Sequence, residues 1–236
     1  MMKPAVVVLC AVMFLADCKS RAEKPGNPSG AESATAPAGA PPAAESATPP
    51  SSEPTAAGES ATPQYSEPPT VDVGLSVEQA YAAIPHRRTV WVESDSPAPS
   101  EQRAYLRVMF QVLDQAVALR VAGQQNFSSQ HFDDPDIDGR FDQLITYVRA
   151  MPVPPPLASY HQDILAGLSG QRQYFADWKV QRDQFPFAQQ VGNDPDVRKA
   201  SAALRAAYGE LMAKYPNETP ANKDAFFDYH CALDFL

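Results

Sequence analysis

The composition of the chain changes near residue 70, and this change limits how much of it can fold. Residues 25–69 contain 11 of the 24 prolines and no Ile, Leu, Val, Phe or Trp. A segment of this composition cannot bury enough apolar surface to offset the entropy that ordering costs. We therefore expect a disordered linker over residues 18–70 and one folded domain over residues 71–236, which is long enough to build a hydrophobic core.

The predicted linker contains a short repeat. The tetrapeptide Glu-Ser-Ala-Thr occurs at residues 32–35, 45–48 and 59–62. Each copy is too short and too polar to be a structural unit, so the repeat is typical of a low-complexity tether. Prolines stiffen such a chain and spaced glutamates repel one another, so its fully extended reach is on the order of 150 Å.

The rest of the chain shows helical periodicity. A Ser76 to Gln79 capping box opens a short helix, and Asp-Pro at 194–195 and Thr-Pro at 219–220 are start signals for two later helices. The longest pattern, residues 101–126, carries two neighbouring apolar stripes, which predicts a central helix buried on two sides. The sequence therefore predicts an all-α fold, a helical bundle of about four long and two short helices behind a disordered tether.

Three details of the predicted bundle depend on local signals. Gly167 and Gly170 interrupt one helical pattern and are expected to weaken or bend that helix. Val90 to Val92 is the one hint of a strand, and residues 127–138 are expected to form a loop.

The N-terminus has the layout of an export signal. Lys3 precedes an apolar run from Ala5 to Ala16, and Cys18 follows it. This arrangement resembles the signal peptide of bacterial lipoproteins. The resemblance implies removal of residues 1–17, acylation of Cys18 by diacylglycerol and palmitate-type chains, and anchoring in the membrane by lipid. Because Lys19 stands where an Asp would indicate retention in the inner membrane, the resemblance favours the outer membrane, with the domain facing the periplasm or the cell surface.

A second cleavage site fits the same region. Asp17 stands where lipoproteins usually have Gly, Ala or Ser, while Ser20 and Ala22 fit ordinary signal peptidase. That cut would release a soluble periplasmic protein without lipid. In either case Cys231 would be the one cysteine left for the domain, expected as a buried thiol or as half of an intermolecular bridge.

The charge of the chain argues against nucleic-acid binding. The net charge is -9, and it is divided between linker and domain. A basic face is the minimum requirement for binding phosphate backbones, and the sequence shows only His86-Arg87-Arg88, with Trp91 nearby. Two interpretations fit this cluster: a patch for an anion or a partner, or arginines paired internally with carboxylates of the bundle.

An acidic run at residues 134–142 is the most specific local pattern. Its alternating aspartates, Gly139 and Phe141 resemble the first nine residues of an EF-hand calcium loop. The resemblance implies a calcium site with these ligands: Asp134, Asp136, Asp138 and Asp142, and the carbonyl of Arg140. Ile145 stands where the family has a bidentate Glu, and the alternative is that the aspartates cap the following helix.

No catalytic signature is visible. The sequence lacks a Cys-x-x-Cys-His haem site, a Gly-x-Ser-x-Gly elbow, a P-loop and a His-Glu-x-x-His helix, and the spacing of His86, His131, His161 and His230 matches no metal pattern. We expect a lipid-anchored envelope protein that presents a helical binding or structural domain to another envelope protein or to the cell wall. Two alternatives remain open, a periplasmic enzyme with dispersed site residues and a weak calcium-binding domain.

Overall fold

The computed structural model describes residues 64–128, 136–181 and 191–235, and these ranges contain six α-helices and no strand. The predicted all-α bundle is therefore confirmed. The helices are α1 (Val77–Ala83), α2 (Ser100–Ser128), α3 (Ile137–Ala150), α4 (Ala158–Gln181), α5 (Pro195–Lys214) and α6 (Pro220–Leu233). Short 3₁₀ turns lie at Glu93–Asp95, Pro155–Leu157 and Val191–Asn193.

Helix α2 is the centre of the bundle, as its two apolar stripes predict. Its 29 residues extend over roughly 43 Å. Both stripes are buried, from Tyr105 to Ala122, and α2 contacts α1, α3, α4 and α6. A helix that is buried on most of its circumference must be covered by several neighbours, which is why the other helices surround it.

Three of the helix starts follow the predicted signals. The Ser76 hydroxyl accepts from the Gln79 amide at 3.2 Å, and the Gln79 side chain accepts from the Ser76 amide at 2.8 Å, which completes the capping box. Asp194 accepts from two amides at the start of α5, and Thr219 accepts from the Asn222 amide at the start of α6. In both helices proline occupies the first turn, where its missing N–H costs nothing.

The glycines of α4 permit close helix packing. Helix α4 is continuous from Ala158 to Gln181, so neither glycine interrupts it. A Cβ atom at Gly170 would lie 2.8 Å from the Ala200 Cβ and 2.8 Å from the Asp196 carbonyl oxygen, and one at Gly167 would lie 2.8 Å from the Leu204 side chain. The two glycines therefore let α5 approach the backbone of α4.

An extended strap, residues 85–99, connects α1 to α2 across the bundle. Trp91 in its middle is buried against Phe110 at a ring-centroid distance of 5.4 Å, whereas Val90 and Val92 on either side are exposed. This alternation explains the strand-like sequence pattern. The strap has no strand partner in the described ranges, however, and side chains of α6 hold it instead.

The folded domain begins before the predicted boundary at residue 71. Tyr65 packs against the core, with its ring 5.9 Å from that of Tyr105, and the Tyr147 hydroxyl donates to the Ser66 carbonyl. The boundary at residue 71 follows from the absence of Ile, Leu, Val, Phe and Trp in residues 25–69, and Tyr65 is none of these. The rest of the predicted linker, up to residue 63, lies outside the described residues.

Within the described ranges, every helix is too short or too polar to cross a membrane.

Candidate functional sites

Helix α3 begins inside the predicted calcium loop. The loop expected over residues 127–138 is wrong at both ends, because α2 continues through Ser128 and α3 starts at Ile137. Asp136 occupies the N-cap position, and its backbone carbonyl accepts from the Arg140 amide at 3.1 Å. Asp138 and Asp142 are consequently part of a helix. In an EF-hand the equivalent residues lie in a loop whose oxygens converge on the ion.

The described aspartates of this run are paired with cations of α4. Lys179 contacts Asp136 at 3.3 Å and Asp138 at 3.4 Å, and Arg172 binds Asp142 through two nitrogens, at 3.1 and 3.0 Å. Asp134 lies outside the described residues. In the parts of the chain that the structure covers, His, Cys, Asp and Glu form no group of three placed to hold a metal ion. Calcium binding stays a prediction, and these pairs would have to open for it.

Arg88 of the basic cluster is paired internally. Its Nη2 donates to Asp114 Oδ2 at 2.6 Å and its Nε to Asp114 Oδ1 at 3.3 Å, and the guanidinium lies over the Tyr81 ring at 5.4 Å. Burial raises the pKa of Asp114, and the hydrogen bonds from Arg88 oppose that shift. This bidentate pair joins the strap to the central helix.

The other members of the cluster also contact the bundle. Arg87 contacts Asp224 at 2.9 Å and Asp228 at 3.5 Å, although its side chain is 67% exposed. His86 stacks on Phe227 at 6.1 Å, and Trp91 is buried and so contributes no surface. Of the two interpretations left open by the sequence, the structure shows internal pairing for both arginines.

A buried polar clasp that the sequence analysis missed holds the strap on α6. Asn222 is fully buried, and it accepts from the Val92 amide at 2.8 Å and donates to the Val92 carbonyl at 3.0 Å. Beside it, Glu218 accepts from Asn222 at 3.0 Å and from the Ser96 hydroxyl at 2.6 Å. The Asn222 amide thus pairs with Val92 as a neighbouring strand would. The two residues are 130 positions apart, so no local sequence signal could reveal the contact.

A cavity of about 330 Å³ lies where the strap meets α2 and the end of α5. It is lined by proline rings and a few polar side chains: Pro97, Ala98, Pro99, Gln102, Pro156, Lys214, Tyr215, Pro216 and Asn217. The Tyr215 hydroxyl donates to Gln102 Oε1 at 2.7 Å, which fixes both side chains in the wall. Prolines have no N–H, so Lys214, Gln102 and Asn217 supply the side-chain donors. This lining suits an apolar group that carries acceptors, and it includes no carboxylate, imidazole, thiol or serine for acid–base or nucleophilic chemistry.

The described histidines do not converge on one site. His161 shares a hydrogen bond of 2.9 Å with the Tyr105 hydroxyl, and His230 donates through Nδ1 to the Phe226 carbonyl at 2.6 Å. Burial lowers the pKa of His161, and it lowers the pKa of His230 to about 4, because an imidazolium ion in the core would lose its hydration. His131 lies outside the described residues.

The cysteines differ from expectation in one respect. Cys231 on α6 is only half-buried and is disulfide-bonded, so the expected buried thiol is wrong. Cys18, the predicted lipidation site, lies outside the described residues.

Comparison with known protein families, curated proteins and solved structures finds no match to this chain.

Proposed function

We propose that this chain is a lipid-anchored protein of the bacterial envelope whose helical domain is a binding module on a long tether. The observation that carries the proposal is the apolar run between Lys3 and Ala16 that ends at Cys18. Acyl chains on Cys18 would supply the attachment to the membrane.

The cavity at the strap supports binding in preference to catalysis. Proline rings form part of its walls, and the Tyr215–Gln102 hydrogen bond and the clasp to α6 hold the surrounding segments together. Its described lining offers an ammonium group and amide donors but no carboxylate or imidazole. A mostly apolar recess with a few polar groups is typical of a site that recognises a ligand or a partner side chain.

The length of the tether determines how far from the membrane the binding module can act. At the polyproline rise, the linker sequence can separate the domain from the bilayer by tens of ångströms. An anchored domain with this reach would meet partners in the cell-wall zone or on other envelope proteins.

Fatty-acid labelling tests the anchor. Cells that express the full chain are fed an alkyne-bearing palmitate, and we expect the protein to be labelled and to fractionate with membranes. Cys18→Ser should lose both properties, and Cys231→Ser should keep the label, which separates acylation from disulfide chemistry. Equal labelling of the wild type and Cys18→Ser would contradict the proposal.

Site-specific crosslinking tests the binding function. A photoreactive amino acid at Lys214, beside the cavity, is compared with one at Val180, which is 83% exposed on α4. We expect a discrete adduct from position 214 and none from position 180. The same adducts from both positions would show that the cavity has no special part in binding.

A further inference from the structure

Arg120 is a buried cation that forms no ion pair with any residue the structure describes. It lies on the central helix α2, and only 7% of its surface is exposed. Its Nη1 donates to Gln124 Oε1 at 3.1 Å, while its Nε has no hydrogen-bond partner among the described residues. Arg87, Arg88 and Arg172, in contrast, each bind a carboxylate.

The surroundings of Arg120 do not replace a counter-ion. The guanidinium carbon lies over the Phe235 ring at 5.4 Å, which gives a cation–π contact on one face. Asp234 is the one carboxylate among the described residues that acts on it electrostatically, and it forms no ion pair with Arg120. The Asp234 carboxylate instead accepts from the Ser201 hydroxyl at 2.8 Å and from Arg205 at 3.4 Å.

Burial of this kind is costly for an arginine. Charged groups in protein interiors are normally paired, since transfer of an ion out of water is far more expensive than transfer of a neutral amide. In agreement, desolvation lowers the pKa of Arg120 to about 10. A guanidinium with an unused Nε edge is also the group best shaped to bind an oxyanion through two parallel hydrogen bonds.

A second buried polar atom is unpaired near the same segment. Gln171 of α4 is fully buried and donates through Nε2 to the Leu233 carbonyl, but its Oε1 has no partner in the described part of the chain. Arg120 and Gln171 thus both contact the segment 233–235, which follows the body of α6. At this end of the bundle, two buried polar atoms therefore have no hydrogen-bond partner among the described residues.

We propose that the Nε edge of Arg120 is the cationic side of a binding site for a small oxyanion, a carboxylate group or a phosphate. Phe235 covers one face of the guanidinium. The anion would accept its two hydrogen bonds in the plane of the group, where the N–H bonds point. The site is distinct from the strap cavity, and it does not depend on lipidation of Cys18.

Nitrogen-15 NMR of the intact protein tests the proposal directly. A buried arginine exchanges its Nε–Hε proton slowly, and comparison with Arg120→Lys assigns the signal. We expect this signal to shift in a saturable way with inorganic phosphate or with acetate at constant ionic strength. The Arg88 signal is the internal control, because Asp114 already occupies its Nε. The more effective of the two probes identifies the ligand class.

Matched variants provide a second readout. Phosphate should raise the melting temperature of the wild type more than that of Arg120→Met, since only the wild type gains specific binding on top of the general effect of phosphate on stability. Arg107→Met, at an exposed arginine of the same helix that pairs with Glu93 at 3.1 Å, should respond like the wild type. If the Arg120 signal of the wild type moves with neither anion, the proposal is wrong, whether or not Arg120→Met folds.

Discussion

The close contact of α4 with α5 makes a quantitative prediction about Gly170. Replacement by alanine adds one methyl group between the two helices. That carbon would lie 2.8 Å from the Ala200 Cβ and 2.8 Å from the Asp196 carbonyl oxygen, whereas carbon atoms normally pack at about 3.5–4.0 Å. One of these two atoms, the Asp196 carbonyl oxygen, belongs to the backbone and cannot move away by a change of rotamer. The helices would have to separate, and the contact along their length would loosen.

The expected cost follows from two opposing terms. Overpacking of a well-filled core costs about 1–3 kcal/mol, and the backbone clash places Gly170→Ala at the upper end. Alanine in a helix gains about 1 kcal/mol over glycine. We therefore expect a net loss of about 2 kcal/mol in the free energy of unfolding. Gly209 is the matched control, because it is exposed on α5 and has nothing within 4 Å of its would-be Cβ. Gly209→Ala should gain about 1 kcal/mol.

Urea unfolding followed by circular dichroism measures both variants on the same protein. The two should differ by about 3 kcal/mol, which corresponds to roughly 6–12 °C in melting temperature for a domain of this size. If Gly170→Ala is as stable as Gly209→Ala, the glycine is not needed for close packing, and the explanation offered for α4 fails.

Three further predictions concern other parts of the domain. Because the pKa of His230 is about 4 in the folded protein and about 6.5 when unfolded, the unfolded state binds the extra proton, and lowering the pH from 6.5 to 4 should remove roughly 3 kcal/mol of stability. Urea titrations across this range should show a weaker pH dependence in His230→Gln than in the wild type, and an equal pH dependence would contradict the prediction. Millimolar calcium should leave the melting temperature unchanged relative to chelator, because Lys179 already pairs with Asp136; a rise that Asp136→Ala abolishes would instead support the calcium loop. Asn222→Ala should cost about 2–4 kcal/mol in urea, since it leaves the amide and carbonyl of Val92 without partners, and an effect below 1 kcal/mol would show that the clasp is not needed to hold the strap.

Local signals were sufficient to predict most of the fold. The capping box at Ser76 and the Pro-containing starts at Asp194 and Thr219 specify hydrogen bonds within four residues, so they can be recognised without knowledge of the tertiary structure. The two stripes of α2 likewise follow from spacing alone.

The errors arose where a local pattern serves a distant contact. Gly167 and Gly170 look like helix breakers, but their small size matters only because α5 lies against them. The loop expected to reach Asp138 is the second case, because Ile137 is buried, which favours a helix start at that point, and Lys179 of α4 pairs with Asp136 and Asp138. In both cases the deciding partner is far away in sequence.

The candidate sites were harder to predict than the fold for the same reason. The basic cluster was visible, but whether Arg87 and Arg88 are available to a partner depends on Asp114 and Asp224, which sequence cannot place beside them. Arg120 gave no signal at all, because an arginine in an amphipathic helix is normally assigned to the exposed face. Its burial becomes visible only once Phe235 is seen to cover it.

The acidity of the chain leads to a last prediction about the Arg120 site. A net charge of -9 repels an incoming anion over long distances, whereas the contact at a buried guanidinium is short-ranged and little affected by salt. The Debye length falls from about 30 Å to about 10 Å between roughly 0.01 M and 0.1 M ionic strength. Over this range, adding an inert salt should therefore strengthen phosphate binding, as measured by titration of the Arg120 Nε–Hε signal. Weakening by salt would contradict this prediction, because it would show that the anion reaches Arg120 through an attraction that screening removes.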